Sequence, residues 1–469
     1  MDAPVTKADA DGLSRADRLV AGAGDWMLRH QGAIQRLQWG VIALYFILAA
    51  VPPFLPAPGP DARLWNNLTL FAQFVFWGVW QPFVLASIVF AGRLWCGALC
   101  PEGALSERAS RYARGWATPK WMLWRGWPFA AFCSITIYGQ MIGVYQRPGA
   151  ALLILGGSTL GAVATGLLYA RNKRVWCRYL CPVSGLFSVV AKLAPFHFRV
   201  NRDAWIDSPK PTAAQARAAN CAPLIAVRTM RGASECHMCG RCSGFRGAVV
   251  LARRSPSHEI VHVAGREPRP WQTLLITFGM IGLAAGAFHW ASSPWFHEAR
   301  NAATAFAVAH GARWAAAPTQ PWWILANAPE FGRVLTPAGG GALLAYLAAA
   351  TLFFGGGALA CAELANRLLG GWTAPRLHHL VQCLTPVAAC VVFLGFLAMT
   401  AARLGAENLE SQAVGAIRAA LAAGAGFWSL YLGWRVTGLY SRRAGRRLAA
   451  LAALGGATAL GLAGWAAPF

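Results

Sequence analysis

Long apolar stretches alternate with short polar ones along most of the chain. A helix that crosses about 30 Å of hydrocarbon needs roughly 20 apolar residues. Nine runs meet that length, at about 39–57, 68–91, 126–145, 150–170, 271–292, 340–362, 379–400, 417–437 and 448–467. They predict an all-α membrane protein with about nine transmembrane helices. The sixth run carries Gly355-Gly356-Gly357 and the ninth is rich in Ala and Gly. Both suit helices that pack through small residues in lipid. The pattern divides the chain into an N-terminal segment 1–38, a four-helix membrane unit 39–192, a polar segment 193–268 and a five-helix membrane domain 269–469. Residues 1–38 have scattered apolar positions. They begin Met-Asp-Ala-Pro with no basic stretch ahead of an apolar core, so no signal peptide is expected.

Composition supports this reading. The 469 residues are 56% hydrophobic and only 13% charged, whereas a soluble domain holds about 25% charged residues. The few charges are lopsided, 42 Lys and Arg against 18 Asp and Glu, for a net +24. In a soluble chain that excess would point to nucleic acid. Here it follows the positive-inside rule. With the N-terminus inside, the basic residues gather in the 93–125 loop, the 171–269 region and Arg435–Arg447. The expected location is the bacterial inner membrane, with a cytoplasmic N-terminus and Phe469 on the periplasmic side. Membrane lipid and no nucleic acid are the partners this charge distribution implies. On the outer side, Trp295, Trp314, Trp322 and Trp323 in the 293–338 loop suit an interfacial belt.

One element recurs at a spacing of 81 residues. Arg93-Leu94-Trp95-Cys96-Gly97-Ala98-Leu99-Cys100-Pro101 shares six of nine positions with Arg174-Val175-Trp176-Cys177-Arg178-Tyr179-Leu180-Cys181-Pro182. Each copy follows a pair of apolar runs and falls at the cytoplasmic membrane surface. Thiols four residues apart lie on one face of a helix or turn. Two such pairs, Cys96 and Cys100 with Cys177 and Cys181, offer four thiolates at one face, a donor set for an iron–sulfur cluster or another soft metal such as Cu(I). A disulfide in each pair is the redox alternative, disfavoured by the reducing cytoplasm. Small buried cysteines are the bland alternative.

The strongest local motif is Cys236-His237-Met238-Cys239-Gly240-Arg241-Cys242. C-x2-C-x2-C opens the bacterial ferredoxin run, which normally continues x3-C-P. Here Ser243-Gly244-Phe245-Arg246 supplies no fourth cysteine. Cys221 is the only other cysteine of the polar segment and is assigned as the fourth ligand of one 4Fe–4S cluster. A three-cysteine site, or a fourth ligand from a CxxxC pair, stays open. Zinc is the competing metal, for which His237 would be a further donor. Arg228, Arg231, Arg241, Arg246, Arg253 and Arg254 would stabilise a reduced, more negative cluster or dock an acidic partner; a plain positive-inside surface explains them equally well.

The remaining cysteines, Cys133, Cys361, Cys383 and Cys390, fall inside predicted spans and read as structural. His378 and His379 fall near the inner face and His289 near the outer one, which argues against a haem shared between them. Ionisable residues are almost absent from the spans, which counts against a transporter.

The paired W-C-x3-C-P loops after membrane helices, followed by a ferredoxin-type run, resemble the polyferredoxin-like membrane iron–sulfur proteins of the NapH, NosR and CcoG type. The resemblance covers about residues 68–245. It implies 4Fe–4S binding and electron delivery to, or assembly of, respiratory enzymes. The chain departs from the family pattern of two complete C-x2-C-x2-C-x3-C-P runs. The expected function is single-electron transfer at the cytoplasmic face to or from a respiratory or assembly partner, as a carrier more than a stand-alone enzyme, with no catalytic residue assigned. The cofactor is one 4Fe–4S cluster on Cys221, Cys236, Cys239 and Cys242. A second iron–sulfur or soft-metal centre falls to the CxxxCP loops. The rivals are a copper or iron reductase or oxidase-assembly factor, and a zinc-stabilised scaffold or sensor.

Overall fold

The computed structural model describes residues 14–212, 215–216, 219–409 and 413–466. Phe469, expected outside, falls beyond them. Among the described residues eight helices are long and apolar enough to span a membrane: Gln31–Phe54, Leu68–Ala91, Pro148–Leu168, Pro270–Ser292, Pro337–Leu368, Thr385–Ala406, Ala413–Tyr440 and Ala444–Trp465. Eight of the nine apolar runs are therefore spans. The remaining run, 126–145, forms the 16-residue helix Trp127–Ile142, about 24 Å long at 1.5 Å per residue. It ends early because Gly143 adopts a left-handed φ of 69° and Pro148 opens the next helix.

The chain forms two compact units. The first gathers Met1–Tyr45, Val84–Trp127 and Ser158–Val263. It holds the two CxxxCP loops and the polar segment. Its helices are α1 (Arg15–Arg29) and α2 (Gln31–Ala50), of which the first part lies in this unit, and α3 (Pro101–Ser110). Ser14 caps α1, accepting from the Asp17 amide at 3.2 Å. A two-stranded antiparallel sheet brackets the polar segment: β1 (Phe196–Val200) pairs with β2 (Val249–Arg253), from Phe196 opposite Arg253 to Val200 opposite Val249. Phe198, Val249 and Leu251 from these strands pack with Cys236 and Met238 in one small core. The amphipathic helix α1 lies on β2. A Cβ on Gly24 would come within 2.9 Å of Leu251 Cβ, so the glycine sets the close approach.

Adjacency of the two loops fixes the parity of the chain between them. Arg174 donates to the carbonyl of Cys96 at 2.5 Å, so residues 96 and 174 share one membrane face. The stretch between them must leave and return. If Pro148–Leu168 crosses, an even number of crossings requires that Trp127–Ile142 cross with it, despite its length.

The second unit gathers Phe46–Phe83, Pro128–Gly157 and Ala264–Phe469. Its spans Pro270–Ser292 and Pro337–Leu368 widen into π-helical turns at Leu275–Leu283 and Thr351–Gly356, which pack on each other. Gly282 and Gly355 permit this: a Cβ on either would fall 2.7 Å from a backbone carbonyl of the facing helix. His378 and His379, set aside as haem ligands, are tied into the fold. His378 Nδ1 lies 2.8 Å from Thr273 Oγ1, and His379 Nδ1 lies 2.8 Å from Tyr440. Cys383 and Cys390 are buried, whereas Cys133 and Cys361 are half-buried.

Candidate metal centre

All twelve cysteines are free thiols. Eight lie in the first unit and fall into two electrostatic groups. Cys100 feels Cys177 and Cys96, and Cys181 feels Cys177, Cys100 and Cys96. Cys242 feels Cys236, Cys239 and Cys221. The structure thus gathers the four loop cysteines in one neighbourhood and brings Cys221 to the ferredoxin-type run. Burial raises the pKa in both groups, pushing Cys177 and Cys236 up to about 12. Cys96, Cys177 and Cys236 are buried and the other five half-buried. A soft metal bound by the shifted thiols would have to displace their protons.

Local backbone chemistry shapes both loops. The amide of Gly103 points at Cys100 Sγ (3.5 Å) and that of Met238 at Cys236 Sγ (3.3 Å). Met238 and Gly240 take positive φ of 53° and 78°, which curls the run tightly around its sulfurs. Thiolates in such loops suit a cluster that accepts N–H hydrogen bonds. Among the described residues no three Cys, His, Asp or Glu side chains converge closely enough to hold a single metal ion. A mononuclear thiolate site needs every sulfur about 2.3 Å from one point.

The two loops and the run are locked together by residues that the sequence pattern left without a role. A Cβ on Gly97 would sit 2.9 Å from the Cys239 amide nitrogen and closer still to the His237 carbonyl, so only glycine admits this contact. At the equivalent place in the second copy stands Arg178, which pairs with Glu235 at 3.3 Å. The first residues of the two copies cross over. Arg174, fully buried, reaches Cys96 O and Glu107 Oε2 (2.7 Å). Arg93, equally buried, donates to Ser184 Oγ at 2.9 Å, and that hydroxyl donates to Cys177 O. Helix α2 ties to both: Gln31 donates to Cys239 O at 2.9 Å and Gln38 to Gly97 O at 3.1 Å.

The arginines singled out from the sequence are mostly spent on structure. Arg254 forms a buried pair with Glu259 at 2.6 Å, Arg253 pairs with Asp17, Arg241 with Glu107 at 2.5 Å, and Arg246 holds Ser208. Arg228 and Arg231 are exposed. The charges nearest the thiols come from the repeat itself. Arg174 and Arg93 act on Cys177, and Arg93 also acts on Cys236. Their place at the head of each W-C-x3-C-P copy was the available signal. Glu102, one residue past the first Cys-Pro, was missed. It accepts from Trp176 Nε1 at 3.1 Å, and desolvation beside the loop thiols raises its pKa.

This duplicated geometry has a counterpart among known families. The 4Fe–4S binding domain profile matches residues 73–120 and again 154–201. The repeat is thus similar, in both of its copies, to a 4Fe–4S binding domain. Its two copies contain the CxxxCP loops, whereas the C-x2-C-x2-C run lies outside them. An Escherichia coli K12 protein described as belonging to electron transport, YccM, is 29% identical over 189 residues, covering 34% of this chain and half of its own length. The regulatory protein NosR of Pseudomonas aeruginosa is 26% identical over 188 residues, covering 36% of this chain and a quarter of its own. The chain thus spans half or less of the length of these relatives. No solved structure matches. The resemblance to polyferredoxin-like membrane iron–sulfur proteins, read first from the cysteine motifs, rests on these matches as well.

Proposed function

We propose that this protein carries single electrons through two adjacent iron–sulfur centres at the cytoplasmic face of a bacterial inner membrane, exchanging them with a respiratory or assembly partner. Cys221, Cys236, Cys239 and Cys242 would hold one 4Fe–4S cluster. Cys96, Cys100, Cys177 and Cys181 would hold the second. Such clusters supply one-electron redox chemistry within a protein-set range of potentials. The protein's own residues do the rest. Arg93 and Arg174 offset negative charge at the thiolates, backbone amides of Gly103 and Met238 donate to sulfur, and buried strands exclude water.

The observation that carries the reading is the contact of Gly97 with the His237–Cys239 backbone. It sets one cysteine loop directly against the other, as a relay requires. The two domain matches on the CxxxCP loops support a cluster there over copper handling. The C-x2-C-x2-C spacing of Cys236, Cys239 and Cys242 supports a cluster over zinc.

Anaerobic purification in detergent tests this. About eight iron and eight acid-labile sulfide per chain are expected for two cubanes. Cys236→Ser should remove one EPR signal, and a Cys96→Ser/Cys177→Ser variant the other. A colourless zinc protein would overturn the proposal. Full iron retention in the Cys96→Ser/Cys177→Ser variant would return the loops to a structural role.

A further inference from the structure

A cavity of about 790 Å³ opens in the first unit beside the cysteine loops. Arg111, Arg171 and Arg241 line it together with Glu107 and the carboxamides of Gln31 and Gln35. A narrow extension shares Gln35, Glu107, Arg111 and Arg241, adds Arg108, and ends at Trp39 and Ile42. Four guanidiniums thus face one carboxylate, and that carboxylate is already shared by Arg174 and Arg241. Arg108 and Arg111 are exposed and pair with no carboxylate of the described residues. Among the described residues Arg171 donates only to the carbonyl of Ala113. The groove therefore keeps an uncompensated positive charge.

Its second end is of different character. Gln31, Gln35, Gln38, Trp39 and Ile42 lie along one face of α2, at the start of the first membrane span. Trp39 is half-exposed there, and an indole at such a level is an interfacial anchor. A ligand filling both parts must be anionic at one end and apolar at the other.

We propose that this groove binds the headgroup of an anionic phospholipid. The phosphate would sit among Arg108, Arg111 and Arg171, and the acyl chains would leave along Trp39 and Ile42. A free phosphate shares the anionic chemistry but makes no use of the apolar end. Arg108, Arg111 and Arg171 stand outside the cysteine motifs.

Native mass spectrometry of the full chain in detergent tests the site. Added phosphatidylglycerol should be retained and phosphatidylcholine lost. An Arg108→Gln/Arg111→Gln variant should bind phosphatidylglycerol about 10- to 30-fold more weakly, at roughly 1 kcal/mol per basic residue. Both residues are exposed, so folding should survive, which an unchanged thermal melt verifies; Arg171→Gln serves as a second variant. An Arg442→Gln/Arg443→Gln control, removing exposed arginines elsewhere, should bind as the parent does. Equal retention of both lipids, binding unchanged in Arg108→Gln/Arg111→Gln, or displacement of the lipid by equimolar inorganic phosphate would each overturn the proposal.

Discussion

Arg174 Nη1 donates to the backbone carbonyl of Cys96 at 2.5 Å, so the second copy of the repeat reaches into the first. The same guanidinium pairs with Glu107 at 2.7 Å, with both groups taken largely out of water. Breaking a buried pair costs roughly 3–5 kcal/mol where the remaining charge is left alone, but Glu107 keeps Arg241 at 2.5 Å. Arg174→Ala should therefore destabilise the first unit by about 2–3 kcal/mol, through the lost hydrogen bonds to Glu107 and Cys96 O, and lower the midpoint of thermal unfolding. Arg253→Ala breaks an exposed pair with Asp17 and an exposed hydrogen bond to Ser14 Oγ and should cost about 1 kcal/mol or less. Parallel melts of the two variants check the contrast.

Gly97 has the tightest backbone contact of the site. The facing atoms belong to the main chain of His237 and Cys239, which cannot rotate away. Gly97→Ala should push the two cysteine loops apart and lower the iron content of the purified protein severalfold. Gly244→Ala meets no neighbouring atom. Its positive φ of 69° still strains the alanine, at a cost of about 1 kcal/mol, but iron content should stay close to that of the parent. Iron quantification after identical anaerobic preparation distinguishes the two.

Acid should weaken the protein in two stages. His197, on β1, is buried, and desolvation followed by the charge of Arg254 lowers its pKa to about 3. The unfolded chain binds this proton near pH 6.5 and the folded one does not. The stability contribution is thus complete above pH 6.5 and is lost progressively as pH falls toward 3. Glu259 is also depressed: desolvation opposes the shift, but Arg254 and Lys192 overcome it. Its contribution is complete above about pH 4.5 and declines below that. His197→Leu should flatten the dependence between pH 6.5 and 4.5, leaving the steeper loss below pH 4.5. Denaturation midpoints across pH 4 to 8 check the sign.

The crossing of Trp127–Ile142 is accessible to labelling. An epitope inserted in the 143–147 turn should be reached from the membrane face opposite to one inserted at Ser208–Lys210. Access to both from the same side of intact cells and inverted vesicles would contradict the parity drawn from Arg174 and Cys96.

Spans and cysteine motifs were legible because each leaves a periodic or local trace. Twenty apolar residues, or Cys at fixed spacing, need no partner to be recognised. What the chain hid were contacts between distant segments. Gly97 reads as an ordinary loop glycine until the His237 carbonyl is seen against it. Glu107 is unremarkable in composition, yet it neutralises the buried Arg174, 67 residues away in sequence. Helix α1 falls in a segment that reads as polar with scattered apolar positions. It packs through Gly24 against Leu251 of β2 and through Met27 against Gly240 of the ferredoxin-type run, contacts that hydropathy does not register. The short helix Trp127–Ile142 reads as a full span because apolar residues continue through Gly143, where the backbone turns.

The two copies of the repeat differ where they meet the ferredoxin-type run. One must present no side chain, at Gly97, and the other a long cation, Arg178, for Glu235. A chain with two identical copies could not satisfy both contacts. Once these positions diverged, the halves ceased to be interchangeable, and the duplication became a fixed heterodimer carried on a single polypeptide.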